Sequence, residues 1–501
     1  MHLNRAPIAL LFFSAWQPCS AQPLRAMAYA LPSNDALMSA APAPDGGSVM
    51  DVLILNNAGT NFSHVLVKQN AALEVEWAKQ YNWPLVYGGG AILAHDDGIV
   101  LACEAGANGL NGHLLFLDAE GEFQQLTAIG ALRPFTIERA ANGDYLISGQ
   151  GTVTTSTGGY TVAAAAAVSA SGEFLWSQAY DTGLPGSAVR IVPTSDGGAL
   201  LLGLTSGGQQ SVAATFVKLD LDGNMEWARA LDNPGPDNAF DVLENAEGYL
   251  VAGREGTNNM ALLQLDLDGN VQWARGYQAF HVGWRILNAP GGGYAIVCVN
   301  AFQRFALLRV DELGIPQWLD RFFPVNTDVG TFTGWVNAQG QYTVMATNQD
   351  SGSDAWAYLV TDNAIGCVGR ATIIEHAPFT TLTAPLALTI VPQEPGNATM
   401  PAIAPFAITG TLDCETDPLA GIQDLESERS LFVHPQPASS VVTITGEHLK
   451  QLSWTDATGR EITVRSNERL GTVDADLSAL PTGTYFARDP EGRGVRVLVA
   501  R

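Results

Sequence analysis

The sequence predicts an all-β protein, a seven-bladed β-propeller followed by a small C-terminal Ig-like β-sandwich. Three observations indicate this fold. The 501 residues include 52 glycines but only 15% charged side chains, which is typical of many short strands joined by tight turns. Seven copies of a turn followed by an apolar strand recur between Asp45 and Ala346. After residue 426 they give way to a different alternation of apolar residues, with turns about every 8 to 12 residues.

The amino terminus has the pattern of a secretory signal. A basic residue precedes the apolar run 6–15, and small residues at Cys19 and Ala21 suit cleavage before Gln22, so residues 1–21 are predicted to be a signal peptide. A lipoprotein anchor at Cys19 is the alternative, although the residues just before it are not the small ones expected there. No apolar run reaches the roughly 20 residues of a membrane span, and no transmembrane segment is expected.

The charge of the chain argues against some classes of partner. Its formal net charge is −25, from 50 acidic and 25 basic side chains. Electrostatic capture of nucleic acid or of an anionic membrane is therefore not expected. From Ser427 onward nine basic residues balance nine acidic ones, so the acidity lies upstream of that point.

The repeat has the period of a propeller blade. The steps are 51, 46, 54, 50, 45 and 48 residues between equivalent positions of the turn-and-strand unit, which are Ser48, Ile99, Tyr145, Ala199, Tyr249, Tyr294 and Tyr342. Each unit supplies four short extended runs. We therefore predict seven four-stranded blades over residues 36–370, arranged around a central channel. Helical repeats do not fit, because the glycine density is high and a 3.6-residue periodicity is missing.

The motif LDLDGN occurs twice, at 219–224 and 265–270, and its paired aspartates suggest a calcium loop as one interpretation. An EF-hand loop needs acidic residues at positions 1, 3 and 5 and a glycine at position 6, whereas here the glycine comes two places early. Degenerate copies in other units keep the glycine and lose the carboxylates. We therefore predict two-residue hairpin loops that use the positive φ of glycine, and no metal site.

Two further residue types recur at fixed positions of the repeat. Large aromatic rings stand four residues after the turn glycine and are predicted to pack between blades; they are Trp176, Trp227, Trp273 and Trp318, with Trp77 at the matching place of the first unit. Cys103 and Cys298 share another strand position, where a small buried side chain and a free thiol are expected. The pattern VKLDLDGNMEW resembles the repeats of quinoprotein-like propellers and of outer-membrane assembly propellers. This resemblance supports the fold rather than any cofactor, and no cofactor is expected.

The irregular loops provide the candidate binding face. In an antiparallel blade, loops 1-2 and 3-4 open on one face and loops 2-3 and 4-1 on the other, and the regular glycine turns all share the first. Aromatic residues in the 4-1 connections, among Asn, Asp and Gly, could stack on sugar rings or hold an extended peptide. The candidate ligand-binding residues are Tyr81, Trp83, Tyr180, Phe280 and Trp284, with Phe135 and Phe323 in the same connections. Ordinary packing is the alternative for each ring.

Catalytic motifs give no positive signal. The sequence contains no HExxH, G-x-S-x-G or Walker A motif, and its eight histidines are scattered. A pair of acid/base carboxylates in the channel stays open as an alternative, with no pair singled out and the catalytic residues unknown. Two carboxylates about 5 to 10 Å apart in a groove would favour an enzyme.

Residues 371–426 interrupt the repeat with a Pro/Thr/Ala-rich segment that predicts a few extended strands and a linker. Cys367 and Cys414 flank this segment. In an oxidising compartment they are predicted to form a disulfide that ties it to the last blade.

Residues 427–501 carry several short motifs in a fixed order. They are Pro435, Pro437 and Ala438, then Asp456, Gly459 and Arg460, then Leu480, Pro481, Gly483 and Tyr485, and finally Arg493, Arg496 and Arg501. This order resembles the type A C-terminal sorting domain of type IX secretion cargo from Bacteroidetes-like bacteria, although Gln436 stands where that family usually has Asn. The resemblance implies the type IX secretion machinery as a partner, passage through the periplasm and removal of this domain. An ordinary Ig-like module is the alternative.

The sequence thus predicts a secreted or cell-surface propeller that binds an extracellular glycan or protein. An extracellular enzyme, such as a polysaccharide-directed hydrolase or lyase, is one alternative. A structural adhesion component is the other.

Overall fold

The structure of the chain is a computed structural model. It describes residues 24–499 except 31–35, 56–61, 83–85, 106–110, 157, 207–212, 232–237, 256–258, 278–279, 301–304, 323–331, 349–353, 362–367, 372–375, 379–382, 387, 394–401, 406–407, 417–431, 435–439, 446–451, 457–459, 470–471 and 489–493. One compact unit spans Leu24–Glu415 and a second contains Thr416–Arg501. In the part of the chain just given, no helix is long and apolar enough to cross a membrane.

The first unit consists of antiparallel sheets of four strands in sequence order, which we number 1 to 7. It begins with β1 (Leu24–Ala30). Sheet 1 contains β2 (Ala36–Pro42), β3 (Ser48–Leu55), β4 (Phe62–Gln69) and β5 (Val75–Asn82). Sheet 2 contains β6 (Val86–His95), β7 (Gly98–Ala105), β8 (Gly112–Leu117) and β9 (Phe123–Ala128). Sheet 3 contains β10 (Leu132–Arg139), β11 (Tyr145–Thr155), β12 (Gly158–Val168) and β13 (Phe174–Asp181).

The remaining four sheets repeat this order. Sheet 4 contains β14 (Gly186–Pro193), β15 (Ala199–Thr205), β16 (Ala213–Leu219) and β17 (Met225–Leu231). Sheet 5 contains β18 (Asn238–Asn245), β19 (Gly248–Glu255), β20 (Asn259–Leu265) and β21 (Val271–Tyr277). Sheet 6 contains β22 (Phe280–Asn288), β23 (Tyr294–Asn300), β24 (Phe305–Val310) and β25 (Pro316–Phe322). Sheet 7 contains β26 (Phe332–Val336), β27 (Tyr342–Asn348) and β28 (Asp354–Val360), with β1 as its fourth strand.

The first strands of successive sheets contact one another. β2 contacts β6, and the contacts continue through β10, β14, β18 and β22 to β26, which contacts β2 again. Apolar side chains of neighbouring sheets form shared cores, for example Leu66 of sheet 1 with Leu101 and Leu115 of sheet 2. The prediction of an all-β chain with repeated four-stranded antiparallel sheets, consistent with a propeller, is confirmed.

Strand β1 completes sheet 7 from the other end of the sequence. It pairs antiparallel with β28, with Met27 opposite Ala357. The Tyr29 hydroxyl donates to the Leu73 carbonyl at 2.5 Å, which ties the closing strand to sheet 1. Ring closure therefore joins the beginning of the chain to its last four-stranded sheet. The repeat counted from residue 36 does not include this strand, because β1 follows no glycine turn.

A belt of short strands runs along the outside of the ring. It comprises β29 (Val368–Ala371), β30 (His376–Pro378), β31 (Thr383–Pro385), β32 (Thr389–Pro392), β33 (Ala402–Pro405) and β34 (Thr409–Thr416). These strands become the fifth strands of sheets 6, 5, 4, 3, 1 and 7, in that order, while sheet 2 keeps four strands in the described part of the chain. The belt covers the outer edges, whose backbone groups would otherwise be free to pair with another chain.

The belt keeps a constant register. Its prolines stand opposite equivalent residues of the outer strands: Pro378 opposite Arg275, Pro385 opposite Arg229, Pro392 opposite Gln178 and Pro405 opposite Lys79. The steps between these prolines are 7, 7 and 13 residues, and the long step passes sheet 2. The segment predicted as a few strands and a linker thus packs on the ring through residue 415.

The LDLDGN segments form turns that join the third and fourth strands of sheets 4 and 5. In the first, the Asp220 amide donates to the Asn224 carbonyl at 2.9 Å, and Gly223 has a φ of 76°. The Asp220 carboxylate accepts from the amides of Asp222 and Asn224 at 3.0 and 2.8 Å. Burial opposes ionisation of Asp220, but bonds from Asn224 and the backbone outweigh it and lower its pKa. The hairpin prediction is confirmed, with a bulge and a longer loop than two residues.

The recurrent tryptophans pack between sheets, as predicted. The Trp176 indole donates from Nε1 to the Leu221 carbonyl of the next sheet at 3.1 Å. A Cβ atom added to Gly223 would lie 2.8 Å from that indole ring, so the glycine is needed for close approach as well as for its φ. Cys103 and Cys298 are buried and free, and burial raises the pKa of both thiols.

The second unit contains two four-stranded antiparallel sheets. One has the order β35 (Phe432–His434), β36 (Val441–Thr445), β40 (Thr472–Asp476) and β39 (Arg465–Arg469). The other has the order β38 (Glu461–Ile462), β37 (Ser453–Asp456), β41 (Gly483–Arg488) and β42 (Gly494–Val499). Both contribute to one buried cluster that includes Ile444, Val473, Trp454 and Val497.

The predicted disulfide cannot be located in this fold. Cys367 lies outside the described residues, and so does the side chain of Cys414. The pairing stays a prediction.

Candidate functional site

β-bulges recur in the first strands of the sheets. The register shifts across one unpaired residue, which is Met38 in β2, Phe135 in β10, Val189 in β14, Phe240 in β18 and Trp284 in β22. A bulge re-aims side chains that strict alternation would send to opposite faces. Here the unpaired residue and the one after it both face the centre of the ring, as Phe240 and Asp241 do.

The bulged strands enclose a central cavity of about 510 Å³. All seven first strands contribute to its wall, so the cavity is the channel of the ring. Since the bulges lie in the first half or the middle of their strands, the apolar side chains stand towards the 4-1 connections. These side chains therefore lie towards the strand ends at which one sheet is joined to the next.

Aromatic side chains contribute to the apolar part of the wall; they are Phe135, Phe240, Trp284 and Trp335. The rings of Phe240 and Trp284 lie 4.3 Å apart at 46°. Phe135 also lines the cavity, and the Arg133 guanidinium lies 5.8 Å from the centre of its ring. Rings of this kind present flat apolar surfaces on which a planar or cyclic ligand can stack.

Four charged residues form a cluster on the same wall. Arg190 lies between two carboxylates, with Nη1 2.5 Å from Glu138 Oε1 and Nε 2.8 Å from Asp241 Oδ1. Arg285 lies farther away, with Nη1 3.4 Å from Asp241 Oδ1 and Nη2 3.8 Å from Glu138 Oε1. Asp241 Oδ2 also accepts from the Ile286 amide at 2.7 Å, which fixes this carboxylate between sheets 5 and 6.

The two arginines differ in burial and in electrostatics. The Arg190 side chain is 11% exposed and that of Arg285 is 28% exposed. Burial alone would lower the pKa of Arg190, but Glu138 and Asp241 outweigh it and raise that pKa. Burial and the nearby Arg190 charge lower the pKa of Arg285. The carboxylates thus compensate Arg190 well and Arg285 poorly.

Metal ligands do not converge in the described part of the chain. It contains no group of three or more His, Cys, Asp or Glu side chains that could hold a metal ion.

Two of the predicted ligand-binding residues are buried structural contacts. Tyr81 is 0% exposed, and its hydroxyl donates to the Gly121 carbonyl at 2.7 Å; Tyr180 is 1% exposed and donates to Gly223 at 2.9 Å. Tyr277 makes the same bond to Gly314 at 2.5 Å. Each tyrosine fastens an outer strand to a turn of the next sheet. This corrects the expectation that Tyr81 and Tyr180 belong to an exposed binding face.

The other predicted aromatic residues divide between the channel and the undescribed parts of the chain. Trp284 and Phe135 line the cavity. Trp83, Phe323 and the side chain of Phe280 lie outside the described residues. The structure therefore brings together two of the predicted rings and adds Phe240, which the sequence analysis left out.

The residues of the predicted sorting motif lie in the second unit where they are described. Asp456 pairs with Tyr485 in neighbouring strands, and Asp456 Oδ1 accepts from the Arg460 amide at 3.1 Å. The Tyr485 hydroxyl donates to the Pro481 carbonyl at 2.9 Å. Gly483 begins β41. Pro435, Pro437 and Gly459 lie outside the described residues.

The charged cluster was not predicted from the sequence. Its four members come from four different sheets and share no sequence motif; they are Glu138, Arg190, Asp241 and Arg285. A weak signal was present for the two arginines, since each is the one Lys, Arg, Asp or Glu residue of its strand, Arg190 in β14 and Arg285 in β22. The side to which these charged side chains point could not be predicted, because the β-bulge that turns them towards the channel has no sequence motif.

Comparisons with known proteins give likenesses of low score. No protein-family model matches the chain, and no curated protein matches it. A protein of unknown function from Dyadobacter fermentans has 13% identity and a TM-score of 0.37 over 68% of this chain and 98% of its own. A neuraminidase-like protein of A/flat-faced bat/Peru has 9% identity and a TM-score of 0.36 over 68% of this chain and 95% of its own. The periplasmic gluconolactonase of Pseudomonas aeruginosa has 14% identity and a TM-score of 0.33 over 74% of this chain and 99% of its own. TM-scores this low carry no functional assignment.

Proposed function

We propose that the chain is a secreted, seven-bladed β-propeller that binds an extracellular glycan at the mouth of its central channel. One observation carries the proposal. The channel holds a cavity of about 510 Å³ in which Phe135, Phe240 and Trp284 lie beside a cluster of charged groups. Small-molecule sites are concave, mostly apolar and equipped with a few polar groups, typically with volumes of about 300 to 1,000 Å³.

The size and shape of the cavity favour a sugar ring over a protein surface. A stable protein interface buries about 800 Å² on each partner and needs a broad face. The channel instead offers a recess with room for one or two rings. We therefore propose that the terminal unit of a glycan enters from the side of the irregular loops and stacks on the aromatic wall.

The charged cluster supports binding over acid/base catalysis. Both carboxylates face the same guanidinium, since Arg190 lies within 2.8 Å of Asp241 and closer still to Glu138. A general base must be free to take up a proton from its substrate. Carboxylates held in ion pairs are better suited to fixing the position of the arginines than to moving protons.

A binding screen followed by one substitution tests this proposal. The mature chain is screened against a glycan array, and ligands are confirmed by calorimetry. We expect Trp284→Ala to weaken binding of the confirmed ligand at least about tenfold, because it removes one ring of the tilted aromatic pair on the channel wall. Trp227→Phe, on an outer strand, is the matched control and should bind normally. Unchanged affinity in Trp284→Ala, or no glycan ligand at all, would contradict the channel site.

Export by the type IX secretion machinery is the second part of the proposal. The order of the motifs in residues 427–501 supports it. So do the pairing of Asp456 with Tyr485 in neighbouring strands and the bond from the Arg460 backbone amide to Asp456. The proposed site of action is the cell surface or the medium, reached through the periplasm.

Truncation after Glu426 tests the export route. In a bacterium with this machinery, we expect the shortened protein to accumulate in the periplasm in a folded, protease-resistant form, while the full chain is exported. The full chain with Phe486→Ser, a change at an exposed position of the same unit, is the control and should be exported. Normal export of the shortened protein would refute the sorting role.

A further inference from the structure

The two arginines of the channel share the available carboxylates unequally. Asp241 uses Oδ2 for the Ile286 amide, and its Oδ1 lies 2.8 Å from Arg190 but 3.4 Å from Arg285. Glu138 Oε1 lies 2.5 Å from Arg190 and 3.8 Å from Arg285. Arg190 therefore takes the close contacts, and Arg285 keeps two long ones.

A donor of Arg285 is buried without an acceptor. Its Nε atom is inaccessible to solvent and has no hydrogen-bond partner among the described residues. Buried donors in folded proteins are almost always paired, and a charged group left short of acceptors is especially costly. The Nε atom of Arg190 also lacks an acceptor in hydrogen-bonding geometry. Arg285 is the more exposed of the two arginine side chains, at 28% against 11%, so an acceptor that enters from the channel can reach the exposed part of its guanidinium.

The charge around Arg285 points to the same kind of acceptor. Burial and the neighbouring Arg190 lower its pKa, which means that its positive charge is incompletely compensated. The rest of the chain is strongly acidic, with a formal charge of −25, so the cluster is a local exception. An entering anion would gain the hydrogen bonds of a planar guanidinium, which matches a carboxylate in geometry.

The position of the aromatic pair limits the rest of the ligand. Trp284 directly precedes Arg285 in the bulge of β22, and both side chains line the cavity. The Phe240 ring lies 4.3 Å from Trp284, and Phe240 directly precedes Asp241. A carboxylate at Arg285 thus brings the atoms attached to it next to a flat aromatic surface.

We propose that the channel recognises a six-membered ring bearing a carboxylate, with Arg285 as the partner of the carboxylate and Trp284 as the surface on which the ring stacks. This rests on the proposed function and names the class of ligand. A uronic acid unit at the end of an acidic glycan has this chemistry, and so does an aromatic acid.

Pairs of charged and neutral probes distinguish a uronic acid from an aromatic acid and isolate the contribution of the carboxylate charge. Calorimetry on the full mature chain compares glucuronate with glucose, and 2-naphthoate with 2-naphthamide. We expect the acid of at least one pair to bind at least about tenfold more tightly than its neutral partner. A preference confined to glucuronate indicates a glycan ligand, and one confined to 2-naphthoate indicates an aromatic acid.

Substitution of the arginine tests the assignment. Arg285→Gln should remove the preference for the acid and leave the neutral probe unchanged, while Arg285→Lys should keep part of it because the charge remains. Arg229→Gln, at a guanidinium on the outer strand β17, is the matched control and should retain the full preference. Melting curves confirm that each variant is folded.

Several results would overturn the inference. Equal binding of acid and neutral probes, an acid preference that survives Arg285→Gln, or no binding of either acid at millimolar concentration would each do so. If a neutral glycan binds and loses affinity in Trp284→Ala, the proposed function stands and only the preference for a carboxylate falls. If no ligand binds at the channel, both fall.

Discussion

Replacing Arg190 with methionine is expected to lower the free energy of unfolding by about 3 to 5 kcal/mol, because it breaks buried ion pairs from one side. The substitution leaves Asp241, whose side chain is 2% exposed, and the partly buried Glu138 with only the distant Arg285 as a countercharge. Urea unfolding of the mature chain, followed by tryptophan fluorescence, measures the loss.

Two further variants separate unpaired charge from lost packing. Arg285→Met should cost less, because its contacts are longer and its side chain is 28% exposed. The triple variant Arg190→Met, Glu138→Gln, Asp241→Asn should recover much of the stability, since replacing every member of a buried ion cluster is often neutral. If Arg190→Met costs less than about 1 kcal/mol, or if the triple variant is as unstable as the single one, the cluster does not hold the inner strands together.

Features that depend on local chemistry were predictable from the sequence. The turn at Asp220 needs a residue with positive φ at Gly223 and an acceptor for the amides of the loop, and both are visible in the motif. The indole of Trp176 follows that pattern at a fixed distance, so its packing position could be inferred from recurrence. Such features repeat because each sheet meets its neighbour in the same way.

The burial of the tyrosines was also present in the sequence, although it was not used. Tyr81 and Tyr180 each stand four residues after a predicted inter-sheet tryptophan, Trp77 and Trp176. Since side chains alternate along a strand, a residue four positions later points to the same side. Assigning these rings to the loop connections placed them at the strand ends and concealed that rule.

The residues that line the channel and the pairing of the belt with the ring could not be predicted, because they depend on long-range pairing of strands. A bulge at Phe240 or Trp284 is set by the register of two strands, which the sequence of one strand does not contain. The belt prolines recur at steps of seven residues, at Pro378, Pro385 and Pro392. This spacing corresponds to the step from one sheet to the next, but that can be recognised only when the arrangement of the sheets is known.

Removing the belt is expected to destabilise the ring more than removing the second unit does. A chain that ends at residue 367 lacks β29 to β34, so the outer strands of six sheets, β1 among them, lose their partners. A chain that ends at Thr416 keeps all of these pairings. We expect the longer chain to melt as the ring of the full protein does. The shorter chain should melt at least about 10 °C lower and aggregate, because long unpaired edges invite association between molecules.

A single position tests whether the backbone pairing of the belt carries this effect. The backbone N–H of Gln393 donates to the Ser177 carbonyl of the outer strand at 2.8 Å. The backbone N–H of Leu386 makes the same bond to the Ala228 carbonyl one sheet away. Gln393→Pro removes the donor and leaves a carbonyl unpaired, whereas Gln393→Ala keeps the bond, so the proline variant should be less stable by about 1 to 3 kcal/mol. Calorimetric melting and size-exclusion chromatography compare all four proteins. If the two truncated chains melt within a few degrees of each other and the two Gln393 variants are equally stable, the belt does not stabilise the ring; if both differences appear, the backbone pairing of the belt with the outer strands does.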